Sequence, residues 1–125
     1  MINIKKLIFI ALVLFAQNTN ANWALFYESQ MVDARLLITS VQQQKQTTQA
    51  LIAIDYKEKQ FFNGVSSQVI FLEHICGEIN PKIIEQKFYE GPIKERNEIK
   101  LDGNPSKFKK YVQKIFPNLI KQICI

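Results

Sequence analysis

The chain has 125 residues, 47% of them hydrophobic and 22% charged, with a formal net charge of +5 at pH 7. That length allows one domain with a single modest core, small enough to gain from a covalent staple. One histidine and two cysteines exclude a histidine-rich metal centre and leave little for thiol chemistry.

The N-terminus has the three zones of a secretory signal. Lys5 and Lys6 give a positive start, Leu7 to Ala16 an unbroken apolar run, and Gln17 to Ala21 a polar stretch ending in a small residue. The apolar run is about half of the ~20 residues that a spanning helix needs. The expectation is therefore cleavage after Ala21, leaving residues 22–125 as one domain, periplasmic or secreted. No second long apolar run follows, so no stable membrane insertion is expected.

An exported chain meets an oxidising compartment, where Cys76 and Cys124 have one intramolecular pairing open to them. In the chain-entropy account such a disulfide stabilises by about 4 kcal/mol. A catalytic thiol would need an imidazole, and on a helix His74 would point away from Cys76. Beyond the leader, the acidic residues all precede Pro105. Lys107, Lys109, Lys110, Lys114 and Lys121 follow it without a carboxylate. Nucleic acid is not an expected partner, because no binding motif is present. An anionic protein or membrane surface suits that end better, and homodimerisation stays open.

Trp23, Ala24, Tyr27, Met31, Ala34, Ile38 and Val41 recur at steps of three and four, which predicts a first amphipathic helix. Gln42 to Gln49 is wholly polar and reads as a solvated helix end or a loop. Ala50 to Tyr56 is open between helix, kink and strand, the strand reaching only to Ile54, and Asp55 to Gln60 reads as an exposed or kinked segment. If helical, it brings Asp55 and Glu58 near the apolar face, to line a polar pocket or pair with a lysine. Phe61 to Cys76 carries apolar residues on two faces at helical spacing, with Gly64 and Ser67 small enough for close approach. It predicts a central helix enclosed by neighbours.

Gly77 is suited to a left-handed helix end, and Asn80-Pro81 to a new helix start. Ile83, Ile84, Lys87 and Phe88 give a short third helix stopped by Gly91-Pro92. Ile93 to Leu101 is charge-rich surface, and Asp102-Gly103 a turn. Asn104-Pro105-Ser106 opens a last helix. Its apolar side holds Phe108, Tyr111, Val112, Ile115, Phe116, Leu119 and Ile123, and Lys107, Lys110, Lys114 and Lys121 stand opposite. Pro117 must kink it or begin another. The expected fold is all-α, about four helices stapled by Cys76–Cys124.

No catalytic constellation emerges. Ser66-Ser67 has no base at useful spacing, G-x-S-x-G is absent, and Glu95 and Glu98 read as solvated surface. Glu73 and His74 read as a helix surface pair. The expectation is a non-enzymatic protein with no cofactor and no metal. Lys107, Lys110, Lys114 and Lys121 are the candidate partner-binding residues, weighed against simple solubility.

Phe62-x-Gly64-Val65, Cys76 with Pro81 after it, Asn104-Pro105 and a terminal helix ending in Cys124 form a pattern. It resembles the small exported immunity proteins that protect bacteria against type VI secretion amidase effectors. The resemblance covers about the last two-thirds of residues 22–125. Two departures stand out: Ser66-Ser67 where members often carry an acidic residue, and no further cysteine in the first half. The resemblance implies a mostly helical periplasmic inhibitor that binds a peptidoglycan amidase toxin and occludes it. The alternative is a small periplasmic chaperone or an accessory subunit of a secretion or conjugation apparatus.

Overall fold

The computed structural model describes residues 22–57, 64–90, 97–100 and 106–124, and the side chains of 106 and 107 fall outside that description. The described residues form one antiparallel sheet with one long helix against it, not a helical bundle. In order come β1 (Trp23–Glu28), β2 (Val32–Leu37), a 3-10 turn (Ile38–Ser40), β3 (Gln42–Gln44), β4 (Thr47–Tyr56), β5 (Ser67–Ile75), β6 (Lys82–Glu90), β7 (Asn97–Ile99) and α1 (Ser106–Ile123). The sheet order is β1-β2-β4-β5-β6-β7, and β3 pairs with the start of β4.

The all-α expectation fails for a physical reason visible strand by strand. The first predicted helix is the β1–β2 hairpin plus the 3-10 turn. A bulge between Leu25 and Tyr27 adds a residue to β1, so Ala24 opposes Leu36 while Tyr27 opposes Ala34. Two residues three apart thereby share one face, which imitates helical spacing. The hairpin turn is held by Ser29, whose hydroxyl accepts from the backbone N–H of Met31 and Val32. The polar run from Gln42 is a second hairpin, with Lys45 at φ 56° in its turn.

The predicted central helix is β5, its earliest residues lying outside the described ones. β4 and β5 are the middle of the sheet, paired from Thr47↔Ile75 to Asp55↔Ser67. Both of their faces are buried, so their sequences read as nearly continuous apolar runs without alternation. Val69, Ile70 and Phe71 are strand formers, packed on a pleated surface. Ala50 to Tyr56 resolves as strand, with β2 on one side and β5 on the other.

The predicted third helix is β6, where a register shift opposite Phe71 and Leu72 skips Ile84 and again creates a spacing of three, between Ile83 and Gln86. Gly77 has φ +106°, but it turns the chain after a strand rather than capping a helix. Within the charge-rich segment, Asn97–Ile99 is β7.

The last helix is where the sequence places it. Phe108, Val112, Ile115, Phe116, Leu119 and Ile123 are buried against Val32, Ala34, Leu36, Ile52, Ile54, Ile70, Leu72 and Phe88 from the sheet. Burying each such side chain contributes about 1.5–3 kcal/mol. Pro117 neither ends the helix nor starts another, and α1 runs through it. Pro117 and Gln113 lie on the exposed side, so the carbonyl that loses its intrahelical partner can be met by water. On the sheet's other face Leu37, Leu51, Ala53, Val69, Phe71 and Tyr89 form a second, smaller buried cluster.

One irregularity of the sheet is repaired by a single hydroxyl. Between β2 and β3 the 3-10 turn leaves β4 without a strand on that side of Leu51, opposite β5. Ser40 Oγ accepts from the Leu51 N–H at 2.8 Å and donates to the Leu37 carbonyl at 2.6 Å. The expected disulfide is present, Cys76–Cys124, spanning 48 residues and fastening the end of α1 beside the end of β5.

Candidate interaction surface

Because α1 buries one stripe of side chains, the rest of its surface is presented outward. Lys109, Lys110, Gln113, Lys114, Asn118, Lys121 and Gln122 are exposed there, and the helix sequence contains no carboxylate. Of the four lysines singled out by pattern, Lys110, Lys114 and Lys121 lie on this surface; the side chain of Lys107 falls outside the described residues. Lys109 was missed. Its signal is its place four residues before exposed Gln113, one row around the helix from Lys110. Lys114 Nζ also lies 5.7 Å from the centre of the Tyr111 ring, which gives its cation a fixed resting place.

Alongside this face, between α1 and β6, runs a groove of about 220 Å³. Buried Phe108, Val112, Phe116 and Pro81, with half-buried Ile83, form its floor. Lys109, Gln113, Gln86 and Asn80 form its rim. A buried relay orients one of these rim groups: the Tyr56 hydroxyl donates to Gln68 Oε1 at 2.9 Å, and Gln68 Nε2 donates to Gln86 Oε1 at 2.8 Å. Burial holds the Tyr56 phenol far above its ordinary value, with Tyr111 adding to the shift, so it stays a neutral donor. Tyr56 also meets the edges of Phe108 and Tyr111, which ties the relay to the first turns of α1.

On the opposite face of the sheet two carboxylates and two cations of β2, β4 and Lys57 are paired. Asp33 and Asp55 face each other across β2 and β4, an arrangement that would repel without cations nearby. Arg35 Nη1 donates to Asp55 Oδ2 at 2.9 Å, and Lys57 Nζ lies 3.2 Å from Asp33 Oδ1. Lys57 also donates to the Ser29 carbonyl at 2.6 Å. Asp55 is raised above its ordinary value, first by burial; Arg35 opposes that shift and Asp33 adds to it. Asp55 thus pairs with an arginine rather than a lysine, and Glu58 lies outside the described residues.

Glu73 and His74 do not form a surface pair, since successive strand residues point to opposite faces. Glu73 accepts from Gln49 Nε2 at 3.3 Å. His74 is only 2% exposed on the α1 side, and neither ring nitrogen has a hydrogen-bond partner among the described residues. Ser67 is buried at the start of β5. Among the described residues no three His, Cys, Asp or Glu side chains are placed to hold a metal ion, and no helix is long and apolar enough to cross a membrane.

No protein-family model matches this sequence, and comparison with curated proteins and with solved structures returns no match. The functional reading therefore rests on the surface itself.

Proposed function

We propose that the protein is an exported binding protein that engages an acidic surface of a partner protein through the outer face of α1. The observation that carries this is the acid-free lysine face on a helix whose other side is core. That helix is fastened to the sheet at its far end by Cys76–Cys124. A face held this rigidly presents its charges with little ordering cost on association. Complementary charge then speeds encounter and fixes register. The secretory pattern of residues 1–21 and the disulfide both suit an oxidising compartment.

The sharper form is an inhibitor that occludes a peptidoglycan amidase. It comes from the sequence resemblance alone, and the helical fold that the resemblance implied is the part the sheet overturns. Titrating residues 22–125 against an amidase encoded beside this chain tests both levels. Micromolar binding with loss of amidase activity is expected, weakened at least tenfold by the combined Lys110→Glu, Lys114→Glu and Lys121→Glu changes. Lack of any such amidase, or of binding, sinks the inhibitor form. Binding that ignores the three reversals sinks the lysine face.

A further inference from the structure

We infer that the groove between β6 and α1 is a binding site for a medium-chain carboxylate, a straight apolar tail with one anionic end. This does not rest on the lysine-face reading, which needs neither the groove nor Lys109.

The floor of the groove is long and chemically uniform. Phe108, Val112 and Phe116 recur every four residues along α1, so the floor follows the helix for two turns, about 12 Å. Ile83 and Pro81 continue it on the strand side. Those five side chains offer hydrocarbon and no hydrogen-bonding group. A peptide laid on them would lose the hydration of its N–H and C=O groups without replacement, whereas an alkyl tail carries no such groups. At about 220 Å³ the cavity lies below the range usual for drug-sized ligands and suits a slender guest. An extended octanoate or decanoate matches the floor in length.

Charge is placed at one end. Phe108 stands against Tyr56 and Phe88, and Tyr56 reaches Gln86 through Gln68. Lys109 follows Phe108 in the chain, so Phe108, Lys109 and Gln86 mark the same end of the groove, with Phe116 two turns away. Lys109 is exposed and is the only charged residue among the described lining. It makes no ion pair with a carboxylate among the described residues. A carboxylate at that end therefore gains a cation beside an apolar floor and meets no like charge. Asn80 and Gln113 complete the rim with neutral amides.

The probes are hexanoate, octanoate and decanoate, titrated by calorimetry below their micellar concentrations into the oxidised, exported protein. Octanamide and octyltrimethylammonium keep the tail and remove or reverse the charge. Each added methylene should tighten binding about fourfold until the groove is full. Octanamide should bind about threefold more weakly than octanoate, the worth of one half-exposed ion pair, and the cationic probe more weakly still. Lys109→Gln should erase that preference. Gln113→Trp, which fills the groove from its exposed rim, should weaken octanoate at least about tenfold. In the NMR spectrum, amide shifts should move chiefly within residues 82–86 and 108–116.

In about 0.15 M salt the Lys110→Glu, Lys114→Glu, Lys121→Glu protein should bind octanoate within about twofold of the parent. Affinities that ignore tail length, equal binding of octanamide, or shifts centred elsewhere overturn the proposal. So does octanoate binding that the triple reversal abolishes and Lys109→Gln keeps, which is adsorption on the outer lysines. Binding to phosphatidylglycerol vesicles that Gln113→Trp abolishes, without saturable octanoate binding, overturns it as well and points to the tail of a membrane lipid. None of these failures touches the partner test of the lysine face, which is read with the groove empty.

Discussion

Replacing Ser40 with alanine removes one oxygen atom and strands two backbone groups. The Leu51 N–H and the Leu37 carbonyl both end on that hydroxyl, at 2.8 and 2.6 Å. Ser40 is 2% exposed and both leucines are fully buried, so water cannot take its place without opening the sheet. A buried donor or acceptor left unsatisfied costs about 1–3 kcal/mol, which puts the pair at about 2–4 kcal/mol after partial relaxation. Against a domain stability of about 5–15 kcal/mol this is a large loss. With an m-value of about 1–1.5 kcal/mol/M, the urea midpoint should fall by about 2 M at unchanged slope. Amide exchange at Leu51 should accelerate in parallel. Thr39→Ala, an exposed neighbour in the same turn, should stay within about 0.5 kcal/mol. If Ser40→Ala is no worse than Thr39→Ala, or Leu51 keeps its protection, the hydroxyl does not complete the ladder and the reasoning fails.

Changing Cys76 and Cys124 together to serine should cost about 4 kcal/mol, given a 48-residue separation, read by urea denaturation; a loss under 1 kcal/mol would mean the unfolded chain gains little freedom. Asp55 is raised above 3.8, so the folded chain holds that proton more tightly than the unfolded one. Stability should therefore climb as pH falls through the raised value and level off near 3.8, and Asp55→Asn should remove that climb. Superimposable stability profiles for the two proteins would contradict it. His74→Leu replaces two buried nitrogens that have no partner among the described residues with an aliphatic group, and should raise stability by about 1 kcal/mol. A drop in midpoint would show that the imidazole is satisfied.

What the sequence conceals here is parity. Strand assignment depends on period two, and two bulges break it. The extra residue in β1 sets Ala24 and Tyr27 on one face, and the skipped Ile84 does the same for Ile83 and Gln86. The 3-10 turn then carries Val41 back to the α1 side three residues after Ile38. Each break shifts the apolar spacing from two to three, which is the spacing of a helix. β4 and β5 hide differently, because burial on both faces erases alternation altogether. By contrast α1 is one-sided, with its core stripe and its lysines separated around the wheel, and it was legible to within a residue or two. The disulfide was legible from counting alone. The groove was not, because its two walls, Ile83 and Val112, meet only once the helix lies beside β6.

The Cys76–Cys124 bond also has a kinetic meaning. The loop it closes contains the whole of β6, β7 and α1, hence both walls of the groove. A helix tied in this way is never more than a short tether from its seat, at an effective concentration in the millimolar range. Momentary detachment of α1 is thus met by rapid recapture, before Phe108, Val112 and Phe116 can recruit a wrong surface. Reduction removes that attachment and leaves α1 held by its packing on the sheet and by the chain that leads to it from β7.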